Sequence, residues 1–185
     1  MISATRSRLG RAAAALAALA LCALALSACD SGQHGLSIVE GEPVELGELE
    51  YKVLFTRLLN IHDVEDRDYL TGQEPPQPGR SYLGVFVQIE STADEGFNEI
   101  PTDIHIVDSD EQEFEAVESE SIFAVELGGE LGPGDQVPAL DSAAQTGPIE
   151  GSLILFDLPD EATENRPLEL IIPGPDGDGR VELDI

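Results

Sequence analysis

Basic residues are scarce: nine Lys and Arg stand against 37 Asp and Glu, a formal net charge of -28. A nucleic-acid binder needs a basic footprint, and this chain has none. Three of the nine, Arg6, Arg8 and Arg11, lie in the first eleven residues, whereas every acidic residue lies at position 30 or later. The remainder therefore holds six basic and 37 acidic side chains, which favours solubility and weak, diffuse association with cations. Cysteine is almost as rare, with only Cys22 and Cys29, so a domain beyond them has neither thiol nor disulfide and must be held by packing alone. Tryptophan is absent, as are GxSxG, HExxH, CxxC and a glycine-rich phosphate loop. The three histidines are scattered, giving no spacing for a transition-metal site or a base with its nucleophile. Heptads, internal repeats and confident helices are missing too, because 18 glycines and 12 prolines interrupt each candidate.

At the N-terminus, a basic segment ending at Arg11 precedes an apolar run, Ala12 to Leu26, and small residues follow it. That is the pattern of a secretory signal, and a run of about 15 residues is short of the roughly 20 that span a bilayer. Leu26-Ser27-Ala28-Cys29 resembles the lipobox of bacterial lipoproteins. The resemblance implies diacylglyceryl transfer to the Cys29 sulfur, cleavage before it, and acyl anchoring at the extracytoplasmic face of the cell membrane. The expected division is a signal peptide over 1–28, a lipidated cysteine and tether over 29–48, and a β-domain over 49–185.

The β-domain is read around Tyr82 to Phe114. Leu83, Val85, Val87 and Ile89 share one parity against Tyr82, Gly84, Phe86 and Gln88, which predicts a half-buried strand. Ile104 and Ile106 begin a second, and Asp108 to Gln112 turns the chain toward Phe114. Tyr51 to Ile61 reads as a strand by its aromatic and β-branched content, with Val53, Phe55 and Arg57 on one parity. Phe97 and Ile100 are expected to plug the sandwich edge. Ser152 to Leu158 is nearly all apolar and reads as a strand buried on both faces; Leu168 to Ile172 and Val181 to Ile185 complete the set. Between them, His62 to Arg80 has three prolines within Gly72 to Gly79, which predicts a long exposed loop, either the place where a partner would bind or, equally, a disordered spacer. Seven or eight short strands joined by breaker-rich turns point to an all-β antiparallel sandwich.

The order of these segments resembles the immunoglobulin-like domain of bacterial lipoproteins called DUF4352, related in fold to secreted mycobacterial immunoprotective antigens. The matching positions are the strand at Tyr82, Ile104, Asp108 and Phe114 of the hairpin, the Pro133-Gly134 turn, and Phe156 with Pro159. Ser91-Thr92 stands where that family has Asn, and Asp110-Glu111 replaces its Asn-Gly or Asp-Gly turn. What the resemblance implies is an exported β-sandwich that binds or scaffolds something at the cell surface.

No catalytic or cofactor-binding residue is assigned. Calcium is the one ion with candidate ligands: Asp108, Asp110 and Glu111 at the hairpin tip, and Asp176 with Asp178 in a DGDG turn similar to the first half of a calcium loop. That second turn lacks the third acidic position and the closing Glu. The expected function is therefore a non-catalytic interaction or scaffolding module with an extracytoplasmic protein partner. An exported small-ligand or calcium-binding protein, accessory to a transporter, is the alternative.

Overall fold

The computed structural model describes residues 37–147 and 149–185. The expected signal segment and the expected acylation site at Cys29 lie outside the described residues. Among the described residues no helix is long and apolar enough to cross a membrane.

Twelve strands and one short helix follow in chain order: β1 (Ser37–Val39), β2 (Pro43–Leu46), β3 (Leu49–Leu59), β4 (Arg80–Ser91), β5 (Asn98–Glu99), β6 (His105–Val107), β7 (Glu113–Glu115), β8 (Glu130–Leu131), β9 (Gln136–Val137), α1 (Ala143–Thr146), β10 (Ser152–Pro159), β11 (Leu168–Ile172) and β12 (Gly179–Leu183). One sheet runs β1-β12-β11-β6-β7 and the other β10-β4-β3-β2, with β9 added beside β4. A two-stranded ribbon joins β5 to β8. The all-β sandwich expected from sequence is present, with more strands than the seven or eight counted there. Its antiparallel pattern has one exception: β1 pairs with β12 in parallel, Ser37 opposite Arg180 and Val39 opposite Glu182.

The expected tether therefore needs correction. Residues 37–46, read as a tether merging into a first edge strand, contribute two edge strands, β1 in one sheet and β2 in the other, since Ile38, Val44 and Leu46 have apolar neighbours to cover. The sandwich begins well before residue 49.

The central core lies between the sheets. Leu83, Val85, Val87 and Ile89 of β4 meet Ile106, Leu168, Leu170 and Val181 of the facing sheet there, all buried. The parity reading of β4 is right for this face but incomplete for the other, because Tyr82, Gly84 and Phe86 are buried as well. A second core covers them on the outer side, built from Tyr69, Leu70, Phe123 and Ala144 over Leu59, Phe86, Leu153 and Leu155. β10 is buried on both faces from Ser152 to Phe156, as its unbroken apolar run predicts.

In β3 the parity breaks at Leu54. The register with β4 shifts between Val53 and Phe55, a bulge that leaves Val53 in the central core and turns Phe55 and Leu59 to the outer one. Phe55 then stacks on Phe86 with ring centroids 4.6 Å apart, and Tyr69 meets Phe86 edge-on at 5.4 Å. Gly84 leaves the space this core needs, since a Cβ there would stand 2.9 Å from both Leu59 and Leu153.

Phe97 is 72% exposed and does not plug the edge; it lies across Gly132, while Ile100 is buried as expected.

Candidate functional site

The segment read as a long exposed loop is in its first half a docked cap. Asp66 is buried and pairs with Arg57 of β3, and its other oxygen accepts from the Asn60 N–H at 2.9 Å. Tyr69 and Leu70, two apolar residues inside a polar stretch, then insert into the outer core. Around these anchors the segment is largely exposed as expected, both at His62 to Glu65, Arg67 and Asp68 and through the proline-rich half, Glu74 to Gly79. Tyr82 closes that half by donating its hydroxyl proton to the Glu74 carbonyl at 3.0 Å.

A second covering segment runs from β7 across the seam between the sheets. It bonds to the outer edge of β10 three times: the Val117 N–H donates to Leu155 O at 2.8 Å, the Val125 N–H donates to Leu153 O at 2.8 Å, and the Leu153 N–H donates to Phe123 O at 2.7 Å. Between these contacts the chain swings outward through Glu118 to Ile122. The result is a groove of about 650 Å³ whose floor includes Leu153, Ile154 and Leu155, and whose walls include Gln73, Glu118 and Glu120. None of its lining residues is Lys, Arg or His.

The wall is tied to the cap at three places. Gln73 Nε2 donates to Glu118 O at 2.8 Å, and Ser121 Oγ donates to Asp68 O at 2.8 Å. Gly72, at φ +82°, allows the third approach: a Cβ there would lie 2.9 Å from the Glu120 carboxyl carbon. The groove was not foreseen from sequence, because it arises from pairings between residues 28 to 53 positions apart.

The candidate calcium ligands divide between two ends of one sheet. Val107, at the end of β6, faces Glu169 at the start of β11, whereas the DGDG turn follows the far end of β11. The Asp108 and Asp176 turns are thus separated by the length of that strand, roughly 13 Å at the usual rise. Asp108 is buried and its carboxylate serves the turn: Oδ1 accepts from the Asp110 and Gln112 N–H groups at 2.9 Å each. Asn165 Nδ2 reaches Asp110 Oδ2 at 3.1 Å and Asp108 Oδ2 at 3.4 Å, linking this hairpin to the β10–β11 connection. Glu111 is exposed and takes φ 61°, the left-handed position that Gly or Asn usually fills in such a turn. Asp176 and Asp178 are exposed. Among the described residues no three Asp, Glu, His or Cys side chains gather as metal ligands.

His62 follows β3 in the cap, and His105 lies on β6 of the other sheet with Nδ1 2.9 Å from Asp103 O. Carboxylates do align elsewhere. Glu50 of β3 stands opposite both Glu45 of β2 and Glu90 of β4, a row across the uncovered part of the outer face. Of the six basic residues after Arg11, Arg57, Arg80 and Arg180 are paired with Asp66, Asp157 and Glu169. Burial raises the pKa of all three phenols, Tyr51, Tyr69 and Tyr82, above the ordinary tyrosine range.

No family model matches the chain, and no curated protein matches it. Among solved structures it is similar to an uncharacterized β-sandwich protein of Clostridium difficile 630, at 14% identity and a TM-score of 0.49, over 84% of this chain and 98% of that one. It is also similar to the yjhA protein of Bacillus subtilis, at 15% identity and a TM-score of 0.47, over 80% of this chain and 98% of that one.

Proposed function

We propose that the chain is a membrane-anchored extracytoplasmic lipoprotein, acylated at Cys29, whose DUF4352-like sandwich is a non-catalytic protein-interaction module with the seam groove as its contact. The anchor rests on the apolar leader and the Leu26-Ser27-Ala28-Cys29 sequence. The observation that carries the module is the groove itself: a cleft beside β10 lined by the part-exposed Ala116, Val117, Ala124 and Leu127, flanked by Glu118 and Glu120 and braced by hydrogen bonds from the cap. Its volume also suits a small exported ligand, which keeps the transporter-accessory reading as the second choice.

Two measurements test the proposal. Metabolic labelling with a palmitate analogue should mark the chain and fail on Cys29→Ala; label that survives the substitution overturns the anchor. Chemical crosslinking in native membranes should capture one reproducible protein, lost when Glu118 and Glu120 are both changed to Lys. Capture that is indifferent to this charge reversal removes the groove as the contact, and the absence of any captured protein favours the small-ligand reading.

A further inference from the structure

We infer that a second cleft, reached by the Tyr51 hydroxyl, binds a small flat apolar molecule carrying an uncharged oxygen acceptor at one end and a cationic group at the other. The cleft, of about 450 Å³, lies where the β2–β3 turn, β5 and the β11–β12 turn meet, and it shares no lining residue with the seam groove. Its apolar lining is accessible: Leu46, Pro101 and Pro173 are half-buried and Pro175 is exposed, so they offer surface that the core has not already used. Gly47, at φ +65°, lets the β2–β3 turn close against Pro175, because a Cβ there would stand 2.8 Å from that ring.

Tyr51 is an independent sign of a ligand. Its ring belongs to the central core and only 2% of the residue is exposed, yet it lines the cleft and its hydroxyl has no hydrogen-bond partner among the described residues. Tyr82, by contrast, donates to Glu74 O. The Tyr51 oxygen retains access to the cleft, unlike the enclosed orphan hydroxyls of Thr56 and Ser91. An unpartnered phenol in an apolar cleft gains from an incoming acceptor, and burial keeps this one a proton donor at neutral pH and well above it. The rim selects the acceptor's charge. Glu48 and Glu99 are exposed there, Asn98 Nδ2 reaches Glu48 Oε2 at 3.3 Å, and no Lys, Arg or His lines the cleft. A carboxylate or phosphate is therefore repelled, an ether or carbonyl oxygen is admitted, and a cation at the ligand's outer end is favoured.

The test uses the full chain purified in detergent and para-methoxybenzylamine, a flat ring with an ether oxygen and an ammonium at opposite ends, followed by isothermal titration calorimetry. Saturable binding is expected, with benzylamine, which lacks the oxygen, about fivefold weaker and para-methoxybenzoate not binding. Tyr51→Phe should lower the methoxy compound to the benzylamine level and leave benzylamine unchanged. It should also keep the parent urea midpoint, because the hydroxyl it removes bonds nothing within the fold. E48Q/E99Q should bind the amine about threefold more weakly, and E118Q/E120Q should bind it like the parent. Absence of saturable binding overturns the inference, as do equal affinities of the parent for the two amines or of parent and Tyr51→Phe for the methoxy compound. A lowered urea midpoint in Tyr51→Phe would overturn it too, by showing that the hydroxyl already has a partner. A loss confined to E118Q/E120Q would move the ligand to the seam groove and likewise remove this site.

Discussion

The outer face of the β10-β4-β3-β2 sheet has two halves that share strands but not surroundings. Toward the cap it presents Phe55, Leu59, Tyr82, Phe86, Leu153 and Leu155, which are covered by Tyr69, Leu70 and Phe123. Toward β2 and β9 it presents Glu45, Glu50, Gln88 and Glu90, and among the described residues no second layer lies on them. β3 and β4 pair through both halves, with the register shifting only at the bulge between Val53 and Phe55, so strand formation does not decide where a third layer is added. The side chains do: aromatic surface on the sheet recruits the cap, and in-register glutamates leave the sheet bare.

The largest test of this contrast is alkaline pH. Unfolded tyrosines ionise near pH 10, whereas burial holds these three neutral in the folded state, so their contribution is full below about pH 10 and is lost as pH rises beyond it. Tyrosinate absorbance and loss of the far-ultraviolet dichroism signal should therefore rise together. Tyr69 and Tyr82, the phenols of the capped half, titrating near 10 in a still-folded protein would break the contrast, whereas Tyr51 reports on the central core. Next is Phe86→Ala, which removes the ring shared by Phe55 and Tyr69 and should cost about 4 kcal/mol in urea unfolding. Asp66→Ala should cost about 2 kcal/mol, since it leaves Arg57 and the Asn60 N–H without their partner. Hydrogen exchange should then show faster opening in residues 60–73 than in β2. The smallest effect has the opposite sign: on the bare half, Glu50→Gln relieves repulsion from two facing glutamates and should add roughly 0.5 kcal/mol at low salt. Its gain should fade as salt is raised, and a stabilisation that ignores salt would point to packing instead.

Much of the sandwich was legible because period-two alternation survives wherever a strand has one buried face. Leu83 to Ile89 shows this, and the apolar run at Ser152 to Leu158 announces a strand buried twice. What local pattern did not disclose depends on distant partners. The bulge at Leu54 inverts the parity that grouped Val53 with Phe55, and nothing within β3 itself marks it. Tyr69 and Leu70 sit in a polar, breaker-rich stretch, so their docking depends on an aromatic surface that β4 supplies from elsewhere. The Arg57–Asp66 pair, the Asn165 link to the Asp108 turn and the seam groove are likewise products of folding. At the two acidic turns, composition indicated charge correctly, but it did not indicate that Asp108 spends its oxygens on backbone N–H groups.

The parallel β1–β12 ladder gives the domain a particular response to mechanical load. Tension entering through residue 37 and directed along β1 pulls lengthwise against β12, so the bonds of the ladder resist together in shear. An antiparallel terminal hairpin loaded at its open end would instead be unzipped one bond at a time. The three-residue strand that fastens the front of the chain to its last strand thus serves as a short shear clamp, engaged whenever the molecule is tugged by the end that enters the fold.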